Sequence, residues 1–170
     1  MPTDVDGYRE YAMSRLDGLR RTAYLLCGDW HTADDLASTA LTRVFRHWRR
    51  VSEMDNPDAY LRRTLLRAWL DERRRPWRRE HATDLLPDRA AAADAGPEAV
   101  ADRLTILALL AELPPRRRAV LVLRYFCDLS VEETAEELGC STGTVKSQTA
   151  RAIQALRARL LDRSVVAEEA

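Results

Sequence analysis

Between Ser141 and Leu160, Thr144, Lys146, Ser147, Gln148 and Arg151 carry side chains suited to base edges and phosphates. A cation such as Lys146 or Arg151 fits guanine O6 and N7 or a phosphate, and the amide of Gln148 fits adenine N6 and N7 in a two-point pair. These residues need a helix to present them. Val145, Ala152, Leu156 and Leu160 recur at helical spacing as its inward stripe, and Ser141 is placed to cap it. The preceding segment starts as a capping box, Ser130 with Glu133 three residues on, and carries Val131, Ala135 and Leu138 on one apolar face. Gly139 then supplies the left-handed residue that a helix end requires. Helix, tight turn and polar-tipped second helix together predict a DNA-binding helix-turn-helix.

A second concentration of chemistry lies upstream. From Arg43 to Arg79 there are twelve arginines against five acids, whereas His81 to Glu112 holds six acids against two arginines. The formal net charge of +0 therefore conceals a basic stretch beside an acidic one, a pattern that suits nucleic-acid contact. Asn56-Pro57 predicts a helix start, with Leu61, Leu65, Trp69 and Leu70 on one side. Arg62, Arg63, Arg67, Arg73 and Arg74 crowd the other side, and Pro76 stops the helix. Arginines beside Trp69 and Trp77 suit a surface where phosphates are bound while bases stack.

Two further helices should precede this one. Tyr8, Tyr11, Leu16, Leu19, Ala23 and Leu26 form the inward face of the first, which stops at Gly28. The next is expected to start at Thr32 with Asp35 at the capping spacing and to reach about Trp48, burying Leu36, Ala40, Val44, Phe45 and Trp48. Asp34, Asp35, Thr39, Thr42, Arg43 and Arg46 fall on its outer face, and Val51 to Asn56 is a polar connection. Residues 81–96, rich in Ala, Asp and Pro without a period, read as an acidic linker. Pro97 opens another helix with Val100, Leu104, Leu107 and Leu110 inward, and Pro114-Pro115 restarts the chain. Val120, Leu121 and Leu123 join Leu104, Leu107, Val131 and Val145 in a small core, leaving Arg116, Arg117, Arg118 and Arg124 outside it within reach of phosphates.

The fold class expected is all-α: two small helical domains, 1–80 and 97–163, joined by a flexible linker at 81–96, with a tail at 164–170. With 46% hydrophobic and 32% charged residues the composition is that of a folded soluble protein, and no apolar run approaches the roughly 20 residues of a membrane span. Cys27, Cys127 and Cys140 lack C-x-x-C spacing and, with no signal peptide, are expected to be reduced thiols in a cytoplasmic protein. Cys27 and His31 stand four apart, but Gly28 between them breaks the helix that a metal pair would need, so neither metal nor cofactor is expected. His31, His47 and His81 are scattered and no phosphate-binding glycine loop or nucleophile–base set is present, which argues against an enzyme.

The run from Leu129 to Ser147, LSVEETAEELGCSTGTVKS, resembles region four of bacterial RNA polymerase sigma factors. With Leu113-Pro-Pro-Arg-Arg-Arg118 and Leu121-Val-Leu-Arg-Tyr125 it is similar to the small extracytoplasmic-function (ECF) group, in an actinobacterial-looking form. Ala33 to Phe45 resembles the core-binding segment of sigma region two, matching at Asp35, Leu36, Leu41, Arg43 and Val44 and departing at Ser38 and Thr39. The resemblance implies that those five matching positions bind core RNA polymerase. It implies that Thr144, Lys146, Ser147, Gln148, Arg151, Arg116 and Arg117 bind the minus-thirty-five promoter element. Arg63, Arg67, Trp69, Asp71, Arg73, Arg74 and Arg75 would bind and help melt the minus-ten element, Asp71 onward falling on the family's Asp-x-Arg-Arg-Arg pattern. Val51 to Asp55 lies where the family forms a pocket for a flipped base. Core RNA polymerase and promoter DNA are the implied partners, with an anti-sigma factor as a further one and no membrane contact of the chain's own. Two other readings stay open: a helix-turn-helix regulator that acts without polymerase, and an adaptor that titrates an anti-sigma factor.

Overall fold

The computed structural model describes residues 4–74 and 105–168, which are helical with no strand among them, and the chain divides into two compact units, Met1–Asp88 and Arg89–Ala170. Arg75, Trp77, the linker at 81–96, the helix start at Pro97 and the inward positions Val100 and Leu104 lie outside the described residues.

Among the described residues the first unit holds four helices: α1 (Val5–Cys27), α2 (Trp30–Arg46), the single turn α3 (Trp48–Val51) and α4 (Pro57–Arg74). Asp4 caps α1 by accepting the Gly7 N–H at 2.9 Å, and Gly28 ends it at φ 81°, a left-handed conformation that costs glycine little. The cap of α2 is Asp29, whose Oδ2 accepts the Thr32 N–H at 2.7 Å. Thr32 is thus the donor and not the capping residue, and the helix begins earlier than expected. Burial pushes the Asp29 carboxyl up, but the bonds from Thr32 and His31 outweigh it and hold it below the ordinary carboxylate range. The helix expected to reach Trp48 is interrupted at His47, and Trp48 and Val51 are buried through the extra turn α3. Asn56 Oδ1 accepts the Ala59 N–H at 2.9 Å, so α4 starts where the Asn-Pro pair places it.

Leu19, Ala23 and Leu26 of α1 pack with Ala33, Leu36, Ala37, Ala40 and Val44 of α2 and with Leu61, Leu65, Leu66 and Trp69 of α4. Small residues on α2 permit close approach of its neighbours. At one end Tyr8 and Tyr11 meet Trp48 at ring-centroid distances of 5.6 and 5.0 Å, and Tyr8 meets Phe45 at 4.8 Å. Two positions expected inward are exposed, Leu16 and Phe45. Phe45 lies against the Tyr8 ring at the rim, beyond the interior filled by Val44 and Trp48.

The second unit contains a helical stretch at 105–111 (α5), then α6 (Pro115–Leu121), a π-helical turn (Val122–Phe126), α7 (Val131–Leu138) and α8 (Thr142–Glu168). Val120, Ala135 and Val145 form a buried cluster that joins α6, α7 and α8, flanked by Val131, Leu138 and Cys140. Leu160, expected in the inward stripe of α8, is exposed, because the α6 and α7 packing lies toward the other end of this long helix. α8 continues to Glu168, through most of the stretch expected as a tail. The wide turn closes with the Cys127 N–H on Val122 O at 3.0 Å and leaves Tyr125 and Phe126 exposed.

Candidate nucleic-acid interface

The turn between α7 and α8 is held by local bonds. Ser130 Oγ accepts the Glu133 N–H at 3.1 Å while Glu133 Oε2 accepts the Ser130 N–H at 2.7 Å, a reciprocal box at the start of α7. Gly139 ends α7 at φ 62°. Ser141 Oγ accepts the Thr144 N–H at 3.1 Å and lies 2.9 Å from the Thr144 hydroxyl, so Thr144 is tied into the cap of α8. With Val145 and Ala152 fully buried, helical geometry turns Lys146, Ser147 and Arg151 to the exposed side. The two cations there offer donors to phosphates or base acceptors without acidic residues interspersed, while the Ser147 hydroxyl donates to Thr144 O at 3.0 Å and keeps its oxygen as an acceptor.

The three-arginine run on α6 separates into three environments. Arg116 is exposed, and Arg117 is half-buried with its Nε donating to Gln148 Oε1 at 3.3 Å. Arg118, placed outside the core by the sequence, is only 2% exposed and lies within it. Arg124 also turns back, donating through Nη1 to Leu129 O, which ties the π-helical turn to the start of α7. The Arg117–Gln148 bond was not legible from spacing, since its partners stand 31 residues apart on different helices.

In the first unit the arginine face of α4 is present: Arg67, Asp71, Arg73 and Arg74 are exposed. Arg63 is half-buried with Nε donating to Ala59 O at 3.3 Å. Trp69 is 1% exposed and Leu65 fully buried, while the Arg73 guanidinium carbon sits 5.6 Å from the Trp69 ring centroid. The expectation of Trp69 as a base-stacking platform is therefore corrected: its ring is a core element with no open face for a base.

The outer face of α2 exposes Asp34, Asp35, Thr39, Thr42, Arg43 and Arg46, as the periodicity predicts, and Ser38 beside them. Leu41 is half-buried and its carbonyl accepts the Tyr8 hydroxyl at 2.9 Å. Leu36 and Val44 are corrected as binding residues, because both are buried against α1 and α4 and present nothing to a partner. Beside this face, Arg20 and Asp34 form a two-point ion pair between α1 and α2. Sequence reasoning also missed a joint between α1 and α4: Asp58 accepts the Tyr11 hydroxyl at 2.9 Å and Arg15 Nε at 3.0 Å. Burial, reinforced by that hydrogen bond and the negative charge of Asp58, pushes the Tyr11 hydroxyl well above its ordinary value. No described helix is long and apolar enough to cross a membrane.

Residues 12–79 match the Sigma-70 region 2 family and residues 103–156 match the Sigma-70, region 4 family. The chain is 39% identical over 162 residues to the RNA polymerase sigma-E factor of Streptomyces avermitilis, covering 95% of this chain and 89% of that one. It is 30% identical over 150 residues to the ECF RNA polymerase sigma factor SigL of Mycobacterium tuberculosis, covering 86% and 85%. Among solved structures, the sigma factor RpoE of Bartonella quintana, crystallised with the anti-sigma factor NepR, aligns over 92% of this chain and 98% of that one. Its TM-score is 0.73 at 23% identity, a likeness of fold. CnrH, solved with the cytosolic domain of CnrY, aligns over 92% of this chain and 88% of that one with a TM-score of 0.63 at 22% identity.

Proposed function

Because the chain belongs to the ECF group of RNA polymerase sigma factors, we propose that it binds core RNA polymerase and directs initiation at a specific class of promoters. In this reading the exposed face of α2, with Asp35, Arg43 and the half-buried Leu41, docks on polymerase. The start of α8, with Lys146, Ser147, Gln148 and Arg151 and with Arg116 nearby, reads the minus-thirty-five element. Arg63, Arg67, Arg73 and Arg74 of α4, with Arg75 beyond the described residues, hold the opened minus-ten strand, and Asp71 borders them.

The observation that carries the reading is the capped helix-turn-helix whose second helix buries Val145 and Ala152 and exposes Lys146, Ser147 and Arg151. An anti-sigma factor is proposed as a further partner, supported by the two similar folds that were each solved in a complex, one with a named anti-sigma factor. The polymerase supplies the chemistry of RNA synthesis, and this chain the choice of start site.

Run-off transcription with purified core polymerase, followed by sequencing of the start sites, tests the proposal. Discrete start sites behind a shared pair of upstream elements are expected. Charge reversal at Asp35 or Arg43 should weaken holoenzyme assembly at unchanged helicity. If both reversals assemble as tightly as the parent chain, α2 is not the docking face.

A further inference from the structure

Sequence alone pairs Gln148 with adenine through both ends of its amide, and the fold holds one end of that amide in place. Arg117 Nε donates to Gln148 Oε1 at 3.3 Å, and both side chains are half-buried. A guanidinium has donors only, so the amide atom facing it has to be the oxygen, which settles the orientation of the Gln148 amide. The contact also sits on a rigid base. Arg117 and Val120 are three apart on α6, Val145 and Gln148 three apart on α8, and Val120 packs with Val145 in the buried cluster. The hydrogen bond therefore lies one helical turn along from the packing that fixes α6 against α8.

We infer that Arg117 is a specificity-determining positioning residue: by bonding one lone pair of Gln148 Oε1 it fixes the plane of the amide that meets the base. A two-point pair with adenine needs Oε1 to accept from N6 while Nε2 donates to N7. The oxygen keeps its second lone pair for N6, so the held amide stays matched to adenine and loses the freedom to turn its N–H groups toward guanine O6 or thymine O4. This inference rests on the reading of α8 as the minus-thirty-five reader.

The test is transcription from a promoter library randomised in the minus-thirty-five element, using holoenzyme made with the full chain. Wild type is compared with Gln148→Ala, Arg117→Ala, Arg117→Met and the double Arg117→Ala, Gln148→Ala. Arg117→Met keeps the length and packing of the stem without its donors, so it carries the test even if Arg117→Ala unfolds. Gln148→Ala should identify one base pair, where wild type prefers adenine. At that same base pair either Arg117 variant should weaken the preference for adenine by about 5-fold or more. The double variant should match Gln148→Ala there. Arg117 variants that lower output evenly across the library would make Arg117 a phosphate contact and overturn the inference. If Gln148→Ala changes no base preference at all, the reading of α8 at this position fails as well, which separates the two failures.

Discussion

Replacing Trp69 by alanine should damage the fold of the first unit before it damages any contact with DNA. The ring is 1% exposed on the buried side of α4, the helix that packs against α2, so its removal leaves a large cavity. Truncation of a buried tryptophan costs about 3–5 kcal/mol, against a total stability of roughly 5–15 kcal/mol for a small domain. At about 4–8 °C per kcal/mol for a domain of this size, the midpoint should fall by at least about 12 °C. Tryptophan emission isolates this unit, because Trp30, Trp48, Trp69 and Trp77 are the chain's 4 tryptophans and all precede Asp88. Thermal unfolding followed by emission of the remaining residues is therefore the assay. Trp69→Phe, which keeps most of the apolar volume, should lie between wild type and Trp69→Ala. Promoter opening by Trp69→Ala should recover on cooling to a temperature where the variant is folded. An unchanged midpoint together with lost opening at every temperature would refute the buried assignment and restore Trp69 as a stacking surface.

Loss of the capping box by Ser130→Ala should cost about 1 kcal/mol and show as faster hydrogen exchange of the α7 amides. Adding Glu133→Ala should accelerate exchange by less than it does alone, because the two bonds are reciprocal. Tyr11→Phe should lower neutral stability by about 1 kcal/mol, read by denaturant unfolding, because it removes the hydrogen bond to Asp58. The folded Tyr11 hydroxyl titrates above the ordinary 10.0, so its contribution is fully present below that pH and is lost as pH rises through the folded value. Wild type should therefore lose stability in strongly alkaline solution, and Tyr11→Phe should lose less over the same range. Parallel alkaline curves for the two would contradict the bond.

The helix ends were legible because each is decided within a few residues. Ser130 with Glu133, Ser141, Asn56-Pro57, Gly28 and Gly139 all perform the local task that their spacing announces. The exception at α2 is instructive, since Asp29 and Thr32 are both good capping residues three apart. The carboxylate of Asp29 takes the N–H of Thr32, and nothing in the spacing alone says which of the two accepts. Periodicity likewise gave the inward faces but not their ends. Leu16, Phe45 and Leu160 fit their stripes and are exposed, because burial also needs a neighbour at that height along the helix.

Sorting the binding residues required the packing, for a reason that helix geometry makes plain. A motif is read as a contiguous run, but successive residues of a helix turn by about 100°, so a run cannot face one way. In the core-binding match, Leu36 and Val44 are eight apart and share the buried side of α2, while Asp35 and Arg43, also eight apart, share the exposed one. The same rotation divides Arg116, Arg117 and Arg118 into one exposed cation, one that holds Gln148 and one inside the core. On α4 it separates Trp69 from Arg67 and Arg73, although all three look alike as members of one basic and aromatic stretch. The resemblance to a family carries such a run over whole, and only the apolar neighbours on the other helices decide which members are free to meet a partner. That is why the polar members of each motif keep their proposed roles while Leu36, Val44 and Trp69 lose theirs.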